Sequence, residues 1–187
     1  MLTFHTITDR DAYTAERFNF IKTVEGSESW PYIDTKGIAT IGIGFNLRVD
    51  KNRNEVFKVL GINPADSRLS ATGKTKELGY YNEIKNILMK SYPANLTGTA
   101  LDQANTNLQA ALDDVMQRRY NDPLITIPGK ENVFGLSDPE MKSVFDAIMP
   151  TYQNKVDNRV INIPDSKERI VLESLAYNTK DGSRSLL

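Results

Sequence analysis

Between Asp11 and Glu25 the apolar positions Ala15, Phe18 and Ile21 recur three apart, Lys22 keeps the interval, and Phe20 and Val24 widen the apolar face. This spacing predicts a helix, and Gly26 is placed to end it. From Trp30 to Gly44 the pattern changes. Tyr32 and Ile33 run into Asp34-Thr35-Lys36-Gly37, a turn signal, and the β-branched residues Ile38, Thr40, Ile41 and Ile43 follow. A hairpin is expected there, its second strand weakened by Gly42 and Gly44; strand glycines mark a close approach by a ligand or another backbone. Asp50 to Leu60 reads as a short helix with Val56, Val59 and Leu60 inward and Gly61 as its stop, before the Asn63-Pro64 break. A further helix is expected over Thr75 to Ser91, halted before Pro93. Thr97 or Thr99 can cap a longer one to Tyr120, with Leu101, Leu108, Leu112, Val115 and Met116 on one face. Helical patterns then cover Asp138–Met149, Tyr152–Val160 and Asp165–Tyr177, the first opened by Ser137-Asp138-Pro139-Glu140. The expected class is α+β: one domain over 1–187, with an N-terminal lobe of helix plus β-hairpin (about 11–97) and a helical C-terminal lobe (about 98–187) joined by the long helix.

Composition narrows the chemistry. The 187 residues suit one domain or two small lobes, and 40% apolar with 25% charged residues is ordinary for a globular protein. A net charge of −1 gives no sign of nucleic-acid binding, which shows as a basic domain. The absence of cysteine excludes disulfides, thiolate metal sites and a cysteine nucleophile. The single histidine, His5, leaves zinc hydrolases and Ser-His-Asp hydrolases badly supplied and reads as a surface residue. No stretch reaches the ~20 apolar residues of a membrane span. Met1 to Arg10 is polar and mixed in charge, unlike a secretory signal, so the expectation is a chain made in the cytoplasm.

Three residues form a candidate site. Glu25 ends the first helix, Asp34 follows nine positions later at the hairpin turn, and Thr40 six further on along the returning strand. If the turn holds three residues, Thr35 to Gly37, Asp34 faces Ile38 and Thr40 becomes its same-face diagonal neighbour; a four-residue turn weakens this. Hydrolysis of a glycosidic bond requires two carboxyl groups, one giving a proton to the leaving oxygen, the other attacking the sugar or activating water. By spacing alone Glu25 and Asp34 read rather as a helix-end charge and a turn former, since the chain carries 24 acidic residues and pairs nine apart are bound to occur.

The local sequence adds to this. Glu25-Gly26, then Trp30-Pro31-Tyr32-Ile33-Asp34-Thr35-Lys36-Gly37, then Ile38-Ala39-Thr40-Ile41-Gly42-Ile43-Gly44 closely resembles the active-site region of the phage T-four type of lysozyme. In that family a helix ends in Glu-Gly, a Tyr-x-Asp-x-x-Gly turn follows, then Thr-x-Gly-x-Gly, with the same spacings. The resemblance is close over Ala15–Leu47 and looser for the long helix and Asp138–Tyr177. It implies a lysozyme-like fold with a cleft between two lobes, and a muramidase that cleaves peptidoglycan glycan strands between N-acetylmuramic acid and N-acetylglucosamine. It further implies Glu25 as general acid, Asp34 positioning or activating water, Thr40 helping to hold it, and Trp30, Tyr32 and Gly44 lining the substrate. No metal and no cofactor are implied. The family is regarded as inverting. Phe45 stands where its members commonly have histidine, which implies altered packing. The helix over 165–177 is similar to the central helix of the family's C-terminal lobe, after which more helices follow, whereas Ser183–Leu187 supplies no closing element; the expectation is a piece of something longer. A phage endolysin, a secreted antibacterial effector and a bacteriocin killing domain all fit the resemblance. Each acts on the cell wall as a monomer, and the effector would have an immunity or inhibitor protein as partner. A lytic transglycosylase and a wall-binding module without catalysis stay open.

Other features carry less. Asp50-Lys51-Asn52-Arg53-Asn54 starts like a calcium loop, but Glu55 and Gly61 break the pattern, so Asp50 is expected to cap a helix. Asn95-Leu96-Thr97 fits a glycosylation pattern and reads as a helix start. Trp30 and Tyr32 can stack on sugar or pack the hairpin. Glu28 is the rival carboxylate, expected to be solvated, and Arg118-Arg119 the solvated end of a helix.

Overall fold

A computed structural model describes residues 3–90, 92, 96–125, 135–160 and 162–178. Asn95, Pro93 and Ser183–Leu187 lie outside these. Among the described residues the chain is α+β, with six helices and one three-stranded antiparallel sheet. None of these helices is long and apolar enough to cross a membrane. The chain divides into two compact units, Met1–Gly26 with Lys142–Leu187, and Ser27–Met141.

The first unit is built on α1 (Arg10–Glu25), most of α5 (Asp138–Asp157) and α6 (Lys167–Asn178). Asp9 caps α1 by accepting from the Asp11 and Ala12 amides, and Gly26 (φ 74°) ends it. The buried face of α1 is Tyr13, Arg17, Phe18 and Ile21. Phe20 (38% exposed) and Val24 (56%), expected to widen that face, point away from it. Phe18 meets Phe145 of α5 edge-to-face, centroids 5.5 Å apart. The two helices expected over Asp138–Met149 and Tyr152–Val160 are one helix running through Pro150. Proline removes one amide and strains one turn without obliging the chain to stop when both sides are packed, and Ile148, Met149 and Val156 are buried on either side of it. The helix starts as its sequence suggests: the Ser137 amide and hydroxyl both donate to Glu140 Oε2 at 2.9 Å. Along the N-terminal segment Thr6 pairs with Ser166, and exposed His5 contacts Glu168 at 2.6 Å.

The second unit holds β1 (Glu28–Ile33), β2 (Ala39–Gly42), β3 (Phe45–Asn46), α2 (Asp50–Leu60), α3 (Ala71–Leu88) and α4 (Gly98–Tyr120). Its core includes Ile38, Ile41, Ile43, Phe45, Val56, Leu112 and Val115. The α2 face is rotated from expectation: Asn52, Arg53, Val56 and Phe57 are buried, while Val59 and Leu60 are half-buried. Arg53 reaches inward because its guanidinium finds the Leu47 carbonyl (3.2 Å) and the Asp50 carboxylate. Asp50 is therefore the first helical residue and an ion-pair partner; the cap position is Val49, without a side-chain bond. α3 starts four residues earlier than expected because Ser70 accepts from the Gly73 amide at 3.1 Å. Arg119 is not solvated. It grips buried Glu77 (1% exposed) with two bonds, Nε to Oε2 at 2.9 Å and Nη2 to Oε1 at 2.7 Å, and also donates to the Gly61 carbonyl. Arg118, by contrast, is exposed beside Glu83 and Asp114.

Candidate active site

The hairpin turn holds three residues. Ile33 pairs with Ala39 and Tyr32 with Thr40, the Asp34 amide donates to the Ile38 carbonyl at 2.9 Å, and the Gly37 amide donates back to the Asp34 carbonyl at 2.9 Å. Asp34 thus faces Ile38, and Thr40 is its same-face diagonal neighbour, a spacing of roughly 7–8 Å. Asp34 closes the turn with its own side chain: Oδ1 accepts from the Lys36 and Ile38 amides, both at 2.8 Å. Oδ2 has no hydrogen bond among the described residues. Half-buried Asp34 therefore has one oxygen committed to structure and one available as an acceptor. Thr40 is buried (6% exposed), its hydroxyl donating to the Ile38 carbonyl at 3.2 Å, which leaves its lone pairs as acceptors.

Residues that sequence reading passed over hold this turn still. Arg48 donates to the carbonyls of Gly37 (2.8 Å), Leu88 (3.2 Å) and Lys90. Gly37 (φ 74°) lies so close under Tyr92 that a Cβ there would come within 2.3 Å of its ring. The Tyr92 hydroxyl is itself anchored to the Ala104 carbonyl at 2.9 Å. Along α4 a polar stripe four residues apart, Asn105, Gln109 and Asp113, meets β1, an edge strand of the sheet, and the turn that follows it. Asn105 Nδ2 donates to the Asp34 carbonyl (3.3 Å) and Gln109 Nε2 to the Pro31 carbonyl (3.1 Å), while Gln109 Oε1 accepts from the Ile33 amide (2.7 Å). An edge strand leaves such groups unpaired, and the helix pairs them in place of a fourth strand. The Asn-x-x-x-Gln-x-x-x-Asp spacing was the available signal.

The expected substrate residues divide. The Trp30 indole nitrogen donates to Asp113 Oδ1 at 2.7 Å, which ties half-buried Trp30 to α4. Tyr32 is half-buried opposite Thr40. Gly42 (φ 65°) and Gly44 (φ 91°) form a second tight turn with Ile43, leading into a strand, β3, that the sequence reading did not anticipate. The close approach at Gly42 is the Phe45 ring, which a Cβ there would meet at 2.6 Å. Phe45 itself is fully buried.

Glu25 belongs to the other compact unit, at the last position of α1. It is half-buried, and Oε1 accepts from Asn178 Nδ2 at 2.5 Å. The structure thus brings Asp34 and Thr40 together on the hairpin and places Glu25 beside Asn178 on α6. Glu28 is exposed. No group of three or more His, Asp or Glu among the described residues is arranged to hold a metal ion. Compared with protein-family models, curated proteins and solved structures, the chain matches none.

Proposed function

We propose that this chain is a muramidase with a lysozyme-like fold, hydrolysing the bond between N-acetylmuramic acid and N-acetylglucosamine in peptidoglycan. The observation that carries the reading is the three-residue turn: it sets Thr40 diagonal to Asp34 and leaves Asp34 Oδ2 without a partner among the described residues. The uninterrupted Glu-Gly, Tyr-x-Asp-x-x-Gly and Thr-x-Gly-x-Gly run supports it. In this mechanism Glu25 protonates the leaving oxygen while Asp34 Oδ2 accepts a proton from the attacking water, which Thr40 helps to hold. Inversion requires the two carboxyl groups to stand roughly 6.5–9.5 Å apart across the scissile bond. The natural setting proposed is the bacterial cell wall, reached after phage release or by a secretion machine. Where the chain serves as a secreted effector, an immunity protein would be its partner.

The test is digestion of purified peptidoglycan by wild type, Glu25→Gln and Asp34→Asn, with mass analysis of the fragments. Asp34→Asn keeps an Oδ1 that can accept both turn amides, so it removes the charge and spares the hairpin. Reducing ends released by wild type and lost in both variants are expected. Anhydro ends, with Asp34→Asn still active, would establish a lytic transglycosylase instead. Binding without any cleavage would reject catalysis.

A further inference from the structure

Asn178 is the last residue of α6, and its side-chain amide nitrogen makes two bonds. It donates to the Ser174 carbonyl at 3.2 Å and to Glu25 Oε1 at 2.5 Å. Both acceptors are oxygens, so the nitrogen end of the amide must face them; the reversed orientation would set oxygen against oxygen. Both amide hydrogens are then committed. The consequence falls on Glu25. Oε1 accepts from Asn178 in either state, and because a carbonyl oxygen is a far better acceptor than an acid's hydroxyl oxygen, this bond favours placing a proton of Glu25 on Oε2.

The geometry between α1 and α6 supports a designed contact. Tyr13, Arg17, Ile21 and Glu25 follow one another at intervals of four along α1. The first three are at most 3% exposed. Tyr13 Oη donates to Glu173 Oε1 (3.0 Å) and Arg17 Nη1 to Glu173 Oε2 (3.2 Å). Glu173 and Asn178 lie on the same helix, so the buried ion network at one end of the stripe fixes the register in which Asn178 meets Glu25 at the other.

We infer that Asn178 is a positioning residue that selects Oε2 as the proton-donating oxygen of Glu25, through the bond from Asn178 Nδ2 to Glu25 Oε1. This rests on the reading of Glu25 as the general acid. Proton donation matters most when the leaving group is a poor one, as a sugar hydroxyl is, and least when it departs readily as an anion. A defect in placing the acid should therefore depend on the leaving group, whereas a defect in folding should not.

The experiment compares wild type, Asn178→Leu and Glu25→Gln on two substrates: uncrosslinked peptidoglycan strands, and an oligosaccharide whose terminal N-acetylmuramic acid carries a 2,4-dinitrophenolate leaving group. For Asn178→Leu, kcat on the strands is expected to fall about ten- to a hundredfold, the scale of a misplaced catalytic group, with KM nearly unchanged. On the dinitrophenyl substrate it should match wild type. Glu25→Gln should show the same split, more steeply. Asn178→Ser, which can still bond the Ser174 carbonyl but is too short to reach Glu25, should repeat the pattern and serves where the leucine variant folds poorly. Equal losses on both substrates, or unchanged kcat on the strands, would overturn the inference while leaving the muramidase reading intact. A wild type that cleaves neither substrate would reject that reading and this inference with it.

Discussion

Two helix seams, one in each compact unit, lead to the candidate carboxylates by opposite chemistry. Between α1 and α6 the buried contacts are ionic: Arg17 of α1 pairs with the fully buried Glu173 of α6, Tyr13 donates to the same carboxylate, and Arg169 of α6 itself closes on it. Burial, with the Glu173 charge beside it, pushes the Tyr13 hydroxyl's pKa well above its ordinary value. Between α4 and β1 the contacts come mainly from neutral amides, Asn105 and Gln109 reading the strand's backbone. The first seam ends at Glu25 and the second at the Asp34 carbonyl. A buried charge cannot be left alone, so the ionic seam fixes its register through a large penalty for error. An amide seam matches donors and acceptors one at a time, at a smaller cost for each mismatch.

That contrast sets an order of effects. Glu173→Ala should be the most damaging change, because it takes the buried carboxylate away from Arg17 and from the Tyr13 hydroxyl, while Arg169 keeps its ion pair with Asp157. A loss of about 3–5 kcal/mol is expected by denaturant titration. A loss under about 1 kcal/mol would mean that water or a neighbouring carboxylate replaces Glu173. Gln109→Leu should cost less, about 1–3 kcal/mol, by leaving the Ile33 amide and the Pro31 carbonyl unpaired. Amide exchange should accelerate at Ile33 with little change along α6. Equal losses from the two substitutions would erase the distinction between the seams.

The smallest effect is a matter of pH. The hydrogen bond from His5 holds the Glu168 pKa down at about 2, against an ordinary 4.5. A depressed carboxyl contributes stability above its unfolded value and loses it as pH falls through the folded one. The His5 amide, bonded to Glu168 Oε2 at 3.0 Å, should therefore lose exchange protection between about pH 4.5 and 2, while the Ile33 amide, held by the neutral Gln109 side chain, should not follow it. Parallel loss at both amides would point to global acid unfolding instead.

Much of the hairpin was legible because its signals are local. Gly37 and Asp34 set a three-residue turn by their own backbone and side-chain preferences, and the turn length then dictates which residues face each other. Helix α1 was legible in extent, and its Gly26 stop is where the chain turns. Its buried face was not, because Tyr13 and Arg17 go inward to meet Glu173, a partner about 160 positions away that no local pattern announces. The same reason explains Arg119, read as the solvated end of a helix and found paired with buried Glu77, 42 positions away. Pro150 shows the converse, a strong local stop signal overridden by packing on both sides of it. At the candidate site the motif singles out Glu25, Asp34 and Thr40, of which the structure brings Asp34 and Thr40 together on the hairpin. Asn178, Gln109 and Arg48 were not legible, since an amide or guanidinium takes its meaning from the backbone it meets.

The most direct measurement is digestion of peptidoglycan in water enriched in oxygen-18, with the first-formed anomer followed by proton NMR and the label by mass. If Glu25 gives the proton and Asp34 directs water to the opposite face of the sugar, every new reducing end will carry one heavy oxygen and appear first as the α-anomer. Unlabelled anhydro ends, or a β-anomer formed first, would contradict that assignment.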